Sequence, residues 1–313
     1  MHDDKKTFFR IQTPKYMNAN KYYATLQKFP PAEPEQVISR KVQEMLNRSF
    51  EKNYTRGVLA SIYGFIDLTT LDSLDTKDTV YQMVEKVNTF EGTPNLPNVA
   101  AICTYPVFVE TVKLFLQTKD VKIASVAAGF PSSQTFPEIK IAETAMAVMA
   151  GADEIDVALN LGCFMEDAYE EIADELAEIK DSCRGATLKV ILETGALVTP
   201  ENIRRAAILS MYSGADFIKT STGKGYPGAT PEAFYTICRT VGKYRDLTGN
   251  KVGVKVSGGI RTAEDAVRYY TIAEQLLGKE WLHKDLFRFG ASGLTEDIQL
   301  SMKKGIDARI TTA

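Results

Sequence analysis

With 313 residues, 44% apolar and 25% charged, the chain has material for one large α/β domain or two ordinary ones. A net charge of −3 advertises no broad basic surface for nucleic acid, no apolar run approaches a membrane span, and the charged opening MHDDKKTFFR lacks the apolar core of a secretory leader. There are only two histidines, His2 and His283, and four cysteines without a CxxC pair, Cys103, Cys163, Cys183 and Cys238. This argues against a His-rich metal site, a Ser-His-Asp triad and a disulfide framework, and for reduced thiols in a cytoplasmic protein. Any acid–base chemistry must come from Lys, Asp, Glu, Tyr or Cys.

Residues 1–55 read as a polar N-terminal arm, in which FPPAEP precedes a helical stretch from Glu35 to Phe50 that packs outside the main domain. From residue 60 the chain alternates between short β-branched apolar runs and amphipathic stretches. The runs are 61–70, 98–105, 121–129, 152–160, 186–194, 215–222, 251–259 and 286–292. Helical patterns follow near 76–88, 107–117, 136–150, 166–183, 201–213, 230–242, 262–277 and after 294. Thr199-Pro200-Glu201-Asn202 and Thr262-Ala263-Glu264-Asp265 carry the hydroxyls and acids that helix N-termini favour. Eight β-then-α units predict a (β/α)8 TIM barrel over 56–305, with an N-terminal helical extension and a tail over 306–313. A doubly wound open sheet is the alternative, weakened because no GxGxxG opens a helix after the first strand.

Alternation fixes which strand residues face the barrel interior. In EIDVALN, Ile155, Val157 and Leu159 form the helix-facing side, so Asp156 points inward with Glu154. In TLKVILET, Val190 and Leu192 pack outward and send Lys189 and Glu193 inward. In VGVKVSGG, Gly253 and Lys255 face in, and in DFIKTS the inward face carries Phe217 and Lys219. Three lysines and an aspartate from four successive strands thus converge. A lone lysine at a strand end is ordinarily a snorkelling or salt-bridged residue. Shared parity makes that reading strained for three of them, and a phosphate pocket is the stronger rival. An ordinary lysine, with a pKa of about 10.4, is a free amine in roughly one molecule in 2,500 at pH 7. A second ammonium about 5 Å away, at an effective dielectric of about 20, opposes the charge by roughly 3 kcal/mol and lowers that pKa by about two units. Lys219 and Lys255, on neighbouring strands, suit this arrangement: one becomes a nucleophile because the other stays charged. Asp156 and Lys189 can then pass protons.

Three glycine-bearing turns lead from strand to helix beside them. STGKG supplies Thr222, Gly223 and Lys224; VSGGIRTAED supplies Gly258, Gly259 and Arg261; FGASGL supplies Gly290, Ser292 and Gly293. Glycine lets backbone N–H groups approach an anion, and loops after strands seven and eight are where barrels commonly hold phosphate.

Taken in order, IDLTTL (66–71), AICTYP (101–106), GADEIDVALN (151–160), LKVILETG (188–195), DFIKTSTGKG (216–225), VKVSGGIRTAEDA (254–266) and RFGASG (288–293) resemble the deoxyribose-phosphate aldolases, a family of class I aldolases. The resemblance implies a TIM barrel that needs no metal or organic cofactor. It implies reversible cleavage of 2-deoxy-D-ribose 5-phosphate to acetaldehyde and D-glyceraldehyde 3-phosphate. By position it makes Lys219 the Schiff-base lysine, Lys255 the lysine that lowers its pKa, Asp156 the acid–base aspartate and Lys189 its partner. It assigns Gly223, Lys224, Gly258, Gly259, Arg261 and Ser292 to phosphate, and places Asp67 and Cys103 along the substrate pocket. The arm and ASVAAGFPSSQT (124–135) are similar to the longer members. The chain departs from the family pattern at Val256-Ser257, at Gly293 where a second hydroxyl is common, and in ending ARITTA where some members end in tyrosine. The expected partner is a small phosphorylated sugar, with no nucleic acid and no membrane; a homodimer is admitted but not required. Two alternatives stay open: another Schiff-base barrel acting on a phosphorylated sugar, transaldolase-like, and a non-catalytic sugar-phosphate-binding barrel.

Overall fold

The structure, a computed structural model, describes residues 21–90 and 96–304. Eight strands, β1 (Ile66–Thr69), β2 (Ala101–Thr104), β3 (Lys122–Ala127), β4 (Glu154–Ala158), β5 (Thr187–Ile191), β6 (Phe217–Lys219), β7 (Gly253–Ser257) and β8 (Phe287–Ala291), close into a parallel barrel in sequence order. It is a (β/α)8 TIM barrel. Three helices precede it: α1 (Lys21–Leu26), α2 (Glu35–Asn53) and α3 (Arg56–Tyr63). The crossovers carry α4 (Lys77–Asn88), α5 (Val109–Phe115), α6 (Pro137–Ala150), a short α7 (Leu161–Met165), α8 (Tyr169–Ser182), a short α9 (Thr194–Leu197), α10 (Pro200–Tyr212), α11 (Pro231–Thr248) and α12 (Ala263–Leu277), and α13 (Leu294–Lys304) follows β8.

The alternation holds strand by strand. Ile155, Val157, Val190, Ile218, Val254, Val256, Phe287 and Phe289 are fully buried in the apolar core that joins sheet and helices. Their neighbours turn inward. The helix starts follow the capping signals: Thr199 accepts from the Asn202 N–H, and Thr262 forms a capping box with Asp265.

The first strand begins later than its apolar run suggests. Residues 56–63 form α3, N-capped by Thr55, with Leu59, Ile62 and Tyr63 buried. Those three follow the three-to-four spacing of a helix, and a short apolar run cannot be told from a strand by hydrophobicity alone. The helix expected from Glu35 runs on to Asn53 and buries Ile38, Val42, Leu46 and Ser49 along one stripe. Its last residue, Asn53, donates to Thr271 Oγ1 at 3.1 Å and Glu274 Oε2 at 2.8 Å, fixing it on α12. The arm residues 1–20 and the tail 306–313 lie outside the described residues.

The barrel interior is divided. Towards β2 and β3 it is apolar: Ala101, Cys103, Ala124 and Val126 pack with Leu71. The remaining strands carry charge. At the floor the Phe217 ring fills the space that a β-carbon on Gly253 would need. A Gly253→Val substitution must displace that ring from a close-packed interior, at a cost of about 1–3 kcal/mol. The urea unfolding midpoint should fall with an unchanged m-value; an unmoved midpoint would show that the floor has room.

Candidate active site

Register brings the inward charges level. Asp156 pairs with Lys189 across β4 and β5, and Lys219 with Lys255 across β6 and β7, while closure of β8 onto β1 sets Asp67 beside Gly290. Asp156 is the hub. Its Oδ2 accepts from Lys219 Nζ and from Lys255 Nζ, each at 2.8 Å, and its Oδ1 accepts from Lys189 Nζ at 3.0 Å. Asp67 accepts from Lys255 at 2.5 Å, from Lys189 at 3.3 Å and from Arg288 at 2.6 Å. Glu154 takes Lys189 at 2.5 Å and both terminal nitrogens of Arg288 at 2.8 and 3.1 Å. None of these seven residues is more than 4% exposed.

Burial opposes every one of these charges, so the partners decide which survive. Burial pushes the Asp67 and Asp156 carboxyls up, but the surrounding lysines outweigh it and hold both well below the usual carboxylate range. Burial works against the Lys255 and Lys189 ammoniums too, and there the carboxylates win, so both sit above the ordinary lysine value. Lys219 alone among the three goes down. Burial is the main cause, Lys255 adds to it, and Asp156 opposes it. The like-charged neighbour expected from the sequence is therefore present but second to desolvation. Lys219 meets Asp156 alone and shares that oxygen with Lys255, whereas Lys189, Lys255 and Arg288 each reach at least two carboxylates.

Above the lysines opens a cavity of about 370 Å³ at the C-terminal ends of the strands. Lys219, Thr222, Gly223, Lys224, Gly258, Gly259, Arg261, Gly290 and Ser292 all line it. Asp156, Lys189 and Lys255 lie beneath it and are closed off from solvent. Three residues fall elsewhere. Gly293 stands at the start of α13 outside the cavity lining, Asp67 is buried inside the ion cluster, and Cys103 belongs to the apolar half, where burial pushes its thiol up.

The loops are pinned by backbone contact. Gly258 and Gly259 both adopt the left-handed backbone, with φ of 86° and 87°. The Ala229 N–H reaches the carbonyls of Ser257 and Gly258, both at 3.2 Å, and a β-carbon on Gly228 would strike Gly258. Glu193, itself left-handed at φ 55°, accepts from the Thr222 N–H and hydroxyl and so holds the start of the lysine loop. Lys224 and Arg261 bring two cations to this cavity, and Thr262 caps a helix that begins beside it. The cavity suits an anion next to a lysine of lowered pKa.

Several residues escaped the sequence reading. Thr69, Thr70, Leu71 and Asp72 also line the cavity, from the end of β1 and the loop after it. Arg288 and Glu154 complete the ion cluster; the alternation Phe287-Arg288-Phe289 already placed the arginine inward.

Fold and site together are those of a (β/α)8-barrel aldolase, an enzyme of the lyase class. The model of the DeoC/LacD family aldolases matches residues 63–290, and the chain belongs to that family. It is 36% identical to the human and to the mouse deoxyribose-phosphate aldolase over 284 residues, covering 87% of this chain and 89% of each relative. Among solved structures, the tetrameric deoxyribose phosphate aldolase of Aeropyrum pernix superposes with a TM-score of 0.62 at 26% identity, covering 84% of this chain and 96% of that one. Among the described residues, no helix is long and apolar enough to cross a membrane.

Removing Lys255 leaves Lys219 as the nearest cation to Asp156. In a Lys255→Leu variant the pH midpoint for labelling Lys219 with an amine-selective aldehyde, read by mass spectrometry, should rise by about two pH units. An unmoved midpoint would remove Lys255 from any part in tuning the amine.

Proposed function

We propose that the chain reversibly cleaves 2-deoxy-D-ribose 5-phosphate to acetaldehyde and D-glyceraldehyde 3-phosphate through a Schiff base on Lys219. The observation that carries this reading is the meeting of a buried lysine of lowered pKa with a cavity lined by Lys224, Arg261 and glycine turns. The free amine of Lys219 attacks the substrate aldehyde, and loss of water leaves a protonated imine. That cation draws electrons from the bond broken in cleavage, releasing the phosphorylated aldehyde and leaving an enamine. Protonation of the enamine and hydrolysis free acetaldehyde and restore the lysine. Asp156, within hydrogen-bond reach of Lys219, is the group placed to take and return protons. Lys189 and Lys255 hold Asp156 ionised between turnovers. Lys224, Arg261, the Gly258-Gly259 turn and Ser292 bind the substrate phosphate, and the depth of the cavity sets its distance from the amine. The family and the named relatives support the substrate; the ion cluster supports the mechanism. The reaction is placed in the cytoplasm, and a homodimer is admitted as its assembly but not required.

Borohydride added with acetaldehyde should fix a two-carbon adduct on Lys219, located by peptide mass spectrometry. Lys219→Ala should lose essentially all acetaldehyde release. An adduct found only on another lysine would reject the assignment. Lys224→Ala and Arg261→Ala should each raise KM for the 5-phosphate substrate about 10-fold or more, by loss of a charged hydrogen bond of about 1.5–3 kcal/mol. They should leave KM for unphosphorylated 2-deoxyribose nearly unchanged.

A further inference from the structure

Below the lysines lies a second tier that never reaches the cavity. Arg288, from β8, forks between Asp67 and Glu154, and Glu154, from β4, divides its oxygens between Arg288 and Lys189. Both are buried and neither lines the cavity, so neither touches what binds there. As packing alone this tier is poorly explained, because apolar residues of similar volume commonly serve as well as a buried ion pair.

Charge counting explains it. The cluster linked by ion pairs holds four bases, Lys189, Lys219, Lys255 and Arg288, and three carboxylates, Asp67, Glu154 and Asp156. An uncompensated charge among buried side chains is costly, so one base is driven to give up its proton. Arginine cannot. The deficit therefore falls on a lysine, and the geometry selects the one with a single, shared carboxylate contact, Lys219. We propose that Glu154 and Arg288 are positioning residues that set the proton count of the cluster: Arg288 is the fixed charge that forces a lysine to be neutral, and Glu154 limits the deficit to one.

With a neutral residue at 288, three lysines would face three carboxylates and Lys219 would keep its proton. With a neutral residue at 154, the deficit would be two, and Lys219 would lose its proton more readily. Neutralising both restores a deficit of one. Other groups bear on Lys219 besides Asp156 and Lys255. Cys103 looks towards it from β2 and Glu193 from the turn after β5, Lys189 and Asp67 belong to the same ion cluster, and Lys224, Arg261 and Asp72 lie around the cavity it lines. Glu193 stands outside the count because it makes no ion pair with the four bases: Thr222 holds its carboxyl, and burial pushes that carboxyl up against the pull of Thr222 and Lys219.

The inference rests on the reading that Lys219 forms the Schiff base, and the test separates the two. The full-length chain and the variants Arg288→Met, Glu154→Gln and the double variant are trapped with acetaldehyde and cyanoborohydride across pH, with the adduct located by mass spectrometry and the acid limb of kcat/KM recorded in parallel. The midpoint should rise by on the order of one pH unit in Arg288→Met, fall in Glu154→Gln, and return towards the parent value in the double variant. A tier that is merely structural would lower kcat or the melting temperature without moving the midpoint, and its two substitutions would not cancel. Midpoints unmoved in the folded single variants, or a double variant as displaced as Arg288→Met, overturn the proposal. Should Arg288→Met fail to fold, Arg288→Gln keeps hydrogen bonds to Asp67 and Glu154 and should show the same rise. Absence of an adduct on Lys219 in the parent chain sinks the Schiff-base reading; an adduct there with unmoved midpoints sinks only this inference.

Discussion

One carboxylate oxygen, Oδ2 of Asp156, accepts hydrogen bonds from two lysines at 2.8 Å each, and the chemistry of the site follows from that sharing. Two nitrogens bound to one oxygen can be no farther apart than twice that distance. At such range, in a buried site, two ammoniums repel by several kcal/mol even at an effective dielectric near 20. Asp156 cannot fully compensate both. Lys255 has Asp67 in reserve, whereas Lys219 makes no second ion pair among the described residues, so desolvation tells most on it and lowers its pKa. The lysine of lowered pKa is thus defined by an unequal division of acceptors as much as by proximity to a like charge.

That division requires the split character of the barrel interior. The inward positions of β2 and β3 are small and apolar, so nothing on that side competes for the lysines or admits water. The inward positions of β1, β4, β5, β7 and β8 carry the acids and most of the bases. An evenly polar interior would solvate each charge separately and leave every lysine near its ordinary pKa. The glycines serve the same end from above. A side chain at Gly290 would press on the Cε of Lys255, so the smallest residue preserves the lysine's reach to both aspartates.

Much of this was legible in the sequence because strand parity is a local property. Asp156, Lys189, Lys219 and Lys255 each interrupt an apolar run at a position whose direction the flanking residues fix, and eight such runs define the barrel. Closure was harder to read. The contact from Lys255 to Asp67 spans 188 residues and exists only because β8 pairs back on β1, which no local pattern states. Arg288 and Glu154 had the right parity but no evident partner until closure set them together. Position along a motif likewise did not say that Cys103 would pack in the apolar half or that Gly293 would stand beyond the cavity lining. The run SIYGF misled for a simpler reason: a short apolar stretch serves equally as the buried face of a helix.

The placement of the anion-suited cavity beside Lys219 raises a conflict that the rest of the site resolves. An anion accepted there would draw the lysine back towards its charged form, since charges across a poorly solvated gap are weakly screened. Lys224 and Arg261, with the helix start at Thr262, meet that field first at the rim. Beneath, Lys255, Lys189 and Arg288 are matched by Asp67, Glu154 and Asp156, so a proton on Lys219 would leave the cluster one positive charge in excess. Lys219 therefore stands between an anion-accepting rim and a floor whose charges already balance, and its protonation follows from the two together. A cavity moved deeper would tip that balance towards the ammonium. One held farther out would take the anion's field off the lysine altogether. Cavity depth and cluster charge are thus a single constraint on this barrel, met jointly by the turns after β6, β7 and β8 and by the inward faces of β1, β4, β5, β7 and β8.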